Sequence, residues 1–384
     1  MTTLRRIFPL AVILFAPLAL ISAAGPKTRT RAAKTYRAYV GNYTTKTSSK
    51  GIYEFMFDPA TGKMSALELA GETKDPSWVL VHPSGKYLYA ANERGKDSAI
   101  SAFAIEAKSG RLTLLNTLPA LGQDPCHLAF DRTGKFLFTA NYSSGDVAVF
   151  PILPDGKLGE HTALVTDQGQ PGPNAKRQEG PHAHWVGASE HDPFVYVADL
   201  GLDKVFVYTF DASKGSLAAA DSVVAKPGTG PRHVAFSSDG KFMYVLGELE
   251  STVTAFSSDQ RTFRSLQNVP MLPAGFSGRN DAAEIEIHPS GRFLYASNRG
   301  HDSIVAYAID PKQGTLTQVE DVPTGGQEPR HFALDPSGQF LLAENQNTNN
   351  IVEFRVDQAT GKLTPTGETL SVPSPICISF LPLD

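Results

Sequence analysis

The chain has 384 residues, 41% of them hydrophobic and 19% charged, and its 35 Lys and Arg stand against 39 Asp and Glu for a net charge of −4. A mildly acidic chain with no basic stripe argues against a nucleic-acid partner. Its length suggests two or three domains, but a repeat runs nearly end to end, and one large all-β domain is the better reading.

Met1–Ala24 stands apart. Arg5 and Arg6 precede an apolar run from Ile7 to Leu20 broken by Pro9 and Pro17, and Ser22-Ala23-Ala24 supplies a small-residue cleavage site before Gly25. The run is too short and too proline-broken for a stable spanning helix. The expectation is a signal peptide over 1–24, a linker over 25–35, and a mature chain that is periplasmic or secreted with no stable membrane insertion. Without Arg5 and Arg6, 33 basic residues remain against 39 acidic ones, a mature charge of −6.

From Tyr36 onward the unit repeats. Ser-Gly-Lys-Tyr-Leu at Ser84–Leu88 has near copies at Thr133–Leu137, Asp239–Met243, Ser290–Leu294 and Ser337–Leu341, and a period of about fifty residues in strand-like sequence marks a β-propeller. In Pro76–Pro119 the expected strands are Ser77–His82, Tyr87–Ala91, Ala99–Glu106 and Arg111–Leu118, which make one blade. The outer hairpin occurs seven times, at Gly51–Leu69, Ala99–Leu118, Asp146–Val165, Lys204–Val224, Thr252–Val269, Ser303–Val322 and Asn350–Leu370. The inner pair is complete only six times, starting near Pro76, Pro125, His182, Pro231, Glu284 and Pro329. Tyr36–Asn42 and Pro375–Leu381 read as the missing pair, so the expected fold is a seven-bladed propeller over 36–384, closed by a blade shared between the chain ends. Cys126 and Cys377 fall on blades two and seven, which are not neighbours, so both are expected as unpaired buried residues.

Strands alternate in direction, so the start of each first strand and the end of each second strand share one face, with the Ser-Gly-Lys turns on the other. The turn face is monotonous. On the opposite face, the residues entering the first strand are Ser77, Cys126, His184, Arg232, Ala283, Arg330 and Ile376 in blades one to seven. The residues after them are Trp78, His127, Trp185, His233, Glu284, His331 and Cys377. Those leaving the second strand are Glu93, Tyr142, Leu200, Glu248, Arg299 and Gln346, with Tyr43 from the N-terminal strand. The Trp/His position is expected to pack between blades with its nitrogen bonded to a backbone carbonyl. Asn92, Asn141, Asn298 and Asn345 are expected to cap the turn after the second strand. Several arginines around one concavity form an anion site or pair with carboxylates among themselves. Two long connections, Thr166–Pro181 and Pro270–Ala282, open on this same face as candidate walls or lids.

Several of these segments resemble the seven-bladed propeller lactonases, the family of the propeller-type 6-phosphogluconolactonase and the fungal carboxymuconate-lactonising enzyme. They are Arg177-Gln178, Pro181-His182-Ala183-His184, Asp199-Leu200-Gly201, Gly230-Pro231-Arg232-His233, Glu248-Leu249, Glu284-Ile285, Ser297-Asn298-Arg299 and Pro329-Arg330-His331-Phe332. The resemblance implies catalytic positions at His184, Arg232, Glu248 and Arg299. The other motif residues, Arg177, Gln178, His182, His233, Glu284, Arg330 and His331, are assigned to substrate binding.

Lactone hydrolysis needs an activated water, oxyanion stabilisation and a proton for the leaving alkoxide. Glu248 or His184, tuned toward neutral pH, suits the proton work, and Arg232 and Arg299 suit the anionic groups. No Gly-x-Ser-x-Gly elbow occurs, and neither a metal nor a cofactor is called for. The expected activity is an exported, monomeric lactonase acting on an anionic small-molecule lactone, a sugar acid or another carboxylated ring. The alternatives are a non-catalytic propeller that binds a carbohydrate or protein in the cell envelope, and a muconate-type cycloisomerase.

Overall fold

The computed structural model describes Thr2, residues 35–259 and residues 262–383. The expected signal peptide and linker lie, apart from Thr2 and Thr35, outside the described residues. The strands form seven four-stranded antiparallel sheets. In blade one the inner-to-outer order is Pro76–Val81, Tyr87–Asn92, Ala99–Ile105 and Leu112–Pro119. The inner strand of blade three runs Ala183–Ala188, as expected from a start near His182, whereas that of blade five starts earlier than expected and runs Asp281–Ile287.

The shared blade is present as the hairpin count required. Pro375–Pro382 is innermost, followed by Tyr36–Asn42, Gly51–Phe57 and Glu68–Glu72. Tyr36 faces Pro382 and Val40 faces Ile378 across the seam, and backbone bonds from Leu383 to Thr35 (2.9 Å) and from Tyr43 to Ser374 (3.3 Å) extend it.

Second strands such as Phe194–Asp199 are buried throughout, because both faces of a blade are covered by its neighbours. Outer strands such as Leu112–Pro119 are largely open. The core accordingly lies between blades. Phe55 and Phe57 of blade seven pack on Phe340 and Leu342 of blade six, while Tyr39 and Ile52 pack on Leu88 and Phe103 of blade one. Equivalent clusters fill the other interfaces, and the apolar contact closes on itself.

The repeated turn is built around left-handed glycine. Gly240 has φ of 71°, and a Cβ there would lie 2.6 Å from the His191 ring.

One feature was not legible in the repeat: the register shifts at the residue entering every inner strand. Pro231 faces Gly247 and His233 faces Leu246, leaving Arg232 as the extra residue. The same bulge falls at Ser77, Cys126, His184 and Arg330, and blade five shifts between Ala282 and Ile285. A bulge leaves its residue outside the ladder and re-aims its side chain.

The free edge of each inner strand faces the axis, and side chains from the preceding blade satisfy part of it. Ser379 Oγ accepts from Val81 N at 3.0 Å, and Glu286 Oε2 accepts from Leu334 N at 2.9 Å. Cys377 Sγ meets Val79 N at 3.5 Å, while the Cys126 thiol points to His184 O at 3.3 Å. Both cysteines are free and buried.

The recurrent asparagines, joined by Asn42 at the same place in the shared blade, direct side-chain amide donors to the connection that precedes the blade. Asn42, Asn92 and Asn298 donate to the carbonyls of Pro373, Lys74 and Met271 at 2.6, 2.6 and 3.0 Å. Each thereby ties its second strand to the connection arriving from the preceding blade.

Candidate active site

A repeated backbone bond brings the candidate residues to one end of the ring. The amide of each residue leaving a second strand donates to the carbonyl two positions before the bulge: Glu93 to Asp75, Tyr142 to Asp124, Leu200 to His182, Glu248 to Gly230 and Gln346 to Glu328, at 2.9–3.0 Å. Exit residue and bulged residue are therefore neighbours in each of these blades. In blade four both lie at the opposite end of the hairpin from Gly240, as strand direction requires.

Several of these residues line a cavity of about 280 Å³. His184, Glu248, Arg299, Arg330 and Arg177 of the expected set line it, joined by Tyr43, Glu93, Cys126 and Tyr142. The last four were not among the expected site residues, yet they occupy the same entering and exit positions in other blades, so the repeat itself carried the signal.

Glu248 is the hub. It is 3% exposed and is held by three guanidiniums: Arg177 on Oε1, Arg232 Nε on Oε2 at 3.0 Å, and Arg299 Nη2 on Oε2 at 3.1 Å. Burial alone would raise its pKa, but Arg299, Arg232 and Arg177 outweigh that and hold it at about 2. The expectation of a Glu248 tuned toward neutral pH is thus reversed. The carboxylate is ionised, saturated with cations and weakly basic.

Arg232 lies behind Glu248 rather than on the cavity wall. Its Nη1 donates to Ala283 O of the next blade and sits 3.3 Å from His233 Nε2. Burial, then the neighbouring Arg299 and Arg330, lower its pKa to about 10, which still leaves it charged at neutral pH. Arg299 also donates to the carbonyls of Asp281 and Ala282, each at 3.2 Å.

His184 has the opposite character to Glu248. The residue is 5% exposed, and Nδ1 is buried with no hydrogen-bond partner among the described residues. Burial pushes its pKa well below 6.5, and the charges of Arg232, Arg330 and Arg299 push the same way. It is a neutral imidazole at pH 7.

The Thr166–Pro181 connection supplies Arg177, which reaches across to Glu248, Asp281 (3.3 Å) and the Tyr142 hydroxyl (3.4 Å). Asp281 is also gripped by Arg279 of the second long connection at 2.6 Å. The two connections are therefore clasped over the site. Gln178 braces its own loop, donating to Leu200 O at 2.8 Å and accepting from Asn174 N at 3.1 Å. His182 stacks on Tyr142 at 4.6 Å and meets its carbonyl at 3.0 Å, and so supports that wall.

His233, Glu284 and His331 form a layer beneath the cavity. His233 Nδ1 donates to Glu284 Oε1 at 2.9 Å, and His331 Nδ1 donates to Glu344 Oε2 at 2.6 Å. His127 accepts from Val186 N at 3.4 Å. The expected bonds to backbone carbonyls are replaced by carboxylates and an amide, because these rings meet near the axis, where Trp78 packs 4.2 Å from His127 and 5.3 Å from His331. Despite burial, Glu344 and Glu284 lift His331 to about 9. Among the described residues no cluster of His, Cys, Asp and Glu is arranged to hold a metal.

The family model described as lactonase, seven-bladed β-propeller, matches residues 37–380. A 6-phosphogluconolactonase of Bacillus subtilis is 38% identical over 348 residues, covering 90% of this chain and 98% of that one. A 6-phosphogluconolactonase of Formosa agariphila is 36% identical over 306 residues, with 77% and 85% covered. The solved periplasmic gluconolactonase of Pseudomonas aeruginosa superimposes with a TM-score of 0.85 at 34% identity, over 91% of this chain and all of that one. The chain belongs to the seven-bladed β-propeller lactonase family and is an enzyme of the lactonase class.

Proposed function

We propose that this chain is an exported lactonase that hydrolyses a sugar-acid or other carboxylated lactone by base-assisted attack of water. The observation that carries the reading is the His184 ring on the wall of a cavity lined by Arg177, Arg299 and Arg330, where burial and the arginine charges disfavour its protonated form. An imidazole that stays unprotonated at neutral pH can accept a proton from water and return it to the leaving alkoxide. Arg299 and Arg177 face the same space and suit the developing oxyanion, which fixed charges stabilise strongly where water is excluded. Glu248 has a different role: its charge lets three arginines crowd into one site and fixes their directions. Binding an anion there would offset the guanidinium charges that depress His184 and make it a stronger base once substrate is in place.

Export rests on the Met1–Ala24 pattern and agrees with the periplasmic relative. In that compartment a carboxylated or neutral aldonic lactone is a more accessible substrate than a cytosolic sugar phosphate. The test is a pH-stat screen of the mature protein against gluconolactone, glucarolactone, 6-phosphogluconolactone and muconolactone. Acid release from a carboxylated lactone supports the reading, and release from none of the four overturns it. N-terminal sequencing of the chain recovered from the cell envelope should begin at Gly25; an intact Met1 in the cytosol would contradict export.

A further inference from the structure

The arginines around the cavity are not equivalent. Arg177, Arg232 and Arg299 each contact Glu248, and each has at least one further oxygen partner. Arg330 sits on the wall formed by blades six and seven, and its guanidinium has no ion pair and no hydrogen bond among the described residues. Its contact is with the face of Tyr43, 5.6 Å from the ring centroid. Tyr43 is itself fixed, since its hydroxyl donates to Glu93 Oε2 at 2.8 Å.

We infer that the cavity has two poles, and that Arg330 is the recognition pole, which takes the anionic substituent of the lactone while the ring carbonyl lies against Arg299 and His184. The inference rests on the lactonase reading and extends it to specificity. A guanidinium planted on an aromatic face is held in direction without spending its N–H donors, so all of them remain for an incoming oxyanion. The bulge at Arg330 lifts that residue out of the strand ladder and into the cavity. Glu93, tied to Tyr43 and also on the wall, keeps acceptor capacity for substrate hydroxyls. Its charge also opposes a second negative charge nearby. The pole therefore fits a singly charged carboxylate better than a doubly charged phosphate.

The test compares kcat/KM of wild type, Arg330→Gln and Arg330→Lys on glucarolactone, 6-phosphogluconolactone and uncharged gluconolactone. Arg330→Gln should lose about 10- to 100-fold on the two charged lactones, the range of a charge-assisted hydrogen bond, and less than about 3-fold on gluconolactone. Arg330→Lys should recover part of the loss. Wild type should prefer the carboxylated to the phosphorylated ring, and Glu93→Gln should narrow that preference. Equal losses on charged and neutral rings would overturn the assignment by placing Arg330 in the chemistry or the fold, and no loss on either would overturn it outright. A preference for the phosphorylated ring that Glu93→Gln leaves unchanged would overturn the single-charge assignment.

Should wild type hydrolyse no lactone, the function proposed above fails, and the pole is tested separately by calorimetry with glucarate and sorbitol. Glucarate bound by wild type and not by Arg330→Gln sustains the pole, whereas identical titrations of the two proteins reject it.

Discussion

Among single residues, Glu248 is a buried carboxylate shared by three guanidiniums, and in the proposed function it organises the site while His184 handles the proton. Three guanidiniums share one carboxylate, so Glu248→Gln removes the charge that permits their proximity and leaves buried cations uncompensated. The expected cost is about 3–5 kcal/mol in unfolding free energy, together with a loss in turnover of about 10²-fold, read by denaturant titration alongside activity. Linkage gives a second readout. The folded pKa of Glu248, about 2, is depressed below its ordinary value of 4.5, so its contribution to stability is present above 4.5 and is lost as pH falls through 2. The Gln variant should therefore lose less stability than wild type over that interval.

His331 runs the other way. Its pKa is raised from 6.5 to about 9, so its contribution is complete below 6.5 and is lost as pH rises through 9. His331→Gln should lower the thermal midpoint at pH 6 by more than it does at pH 9.5. Its ring lies beneath the cavity rather than on its wall, so kcat/KM on a neutral lactone should change less than about 5-fold; a drop near that of Glu248→Gln would place it in the chemistry.

At the scale of the element, the blade was legible and its irregularity was not. The strands of blade one differ from expectation by a single residue at their ends, because alternation, the Gly turn and the Pro before the first strand all fix the same boundaries. The bulges at Arg232, His184 and Arg330 leave no mark of their own in composition, since a bulge is a register relation between two strands. Comparing blades still isolated those residues, because side chains freed from the ladder vary from one blade to the next. The same comparison held Tyr43, Glu93 and Tyr142, whose place on the wall emerges only when the ring brings distant blades together. The charge state of Glu248 was likewise hidden, for it depends on Arg177 arriving from a long connection and on Arg299 arriving from another blade.

The turn glycines give a test at this scale. Gly240→Ala meets both a φ of 71° and the His191 ring at 2.6 Å, whereas Gly85→Ala meets a φ of 69° and only the tip of Leu381 at 3.1 Å. The first should cost about 2 kcal/mol and the second about 1, with lactone turnover unaffected in both; equal costs in denaturant titrations would show that backbone conformation alone governs the turn.

At the scale of the whole molecule, closure and site are one construction. The cavity draws Tyr43 from the N-terminal strand, Glu93 and Tyr142 from blades one and two, and Arg299 and Arg330 from blades five and six, so it exists only when the ring is complete. Ala38, Tyr39 and Val40 are fully buried in the shared blade. Removing residues 1–42 should expose the edges of Pro375–Pro382 and Gly51–Phe57 and yield an aggregating chain, while removing residues 1–34 should leave the thermal midpoint within about 2 °C. Cooperative folding of the shorter chain would show that the seam is dispensable.

In the proposed function His184, an imidazole on the cavity wall, is the base of a lactone hydrolysis carried out by this ring. The measurement that addresses it most directly is kcat/KM on a turned-over lactone for wild type and His184→Gln, with the thermal midpoint of each. His184→Gln should lose about 10²-fold or more at a midpoint within about 3 °C of wild type. Full turnover by a correctly folded His184→Gln protein would contradict it.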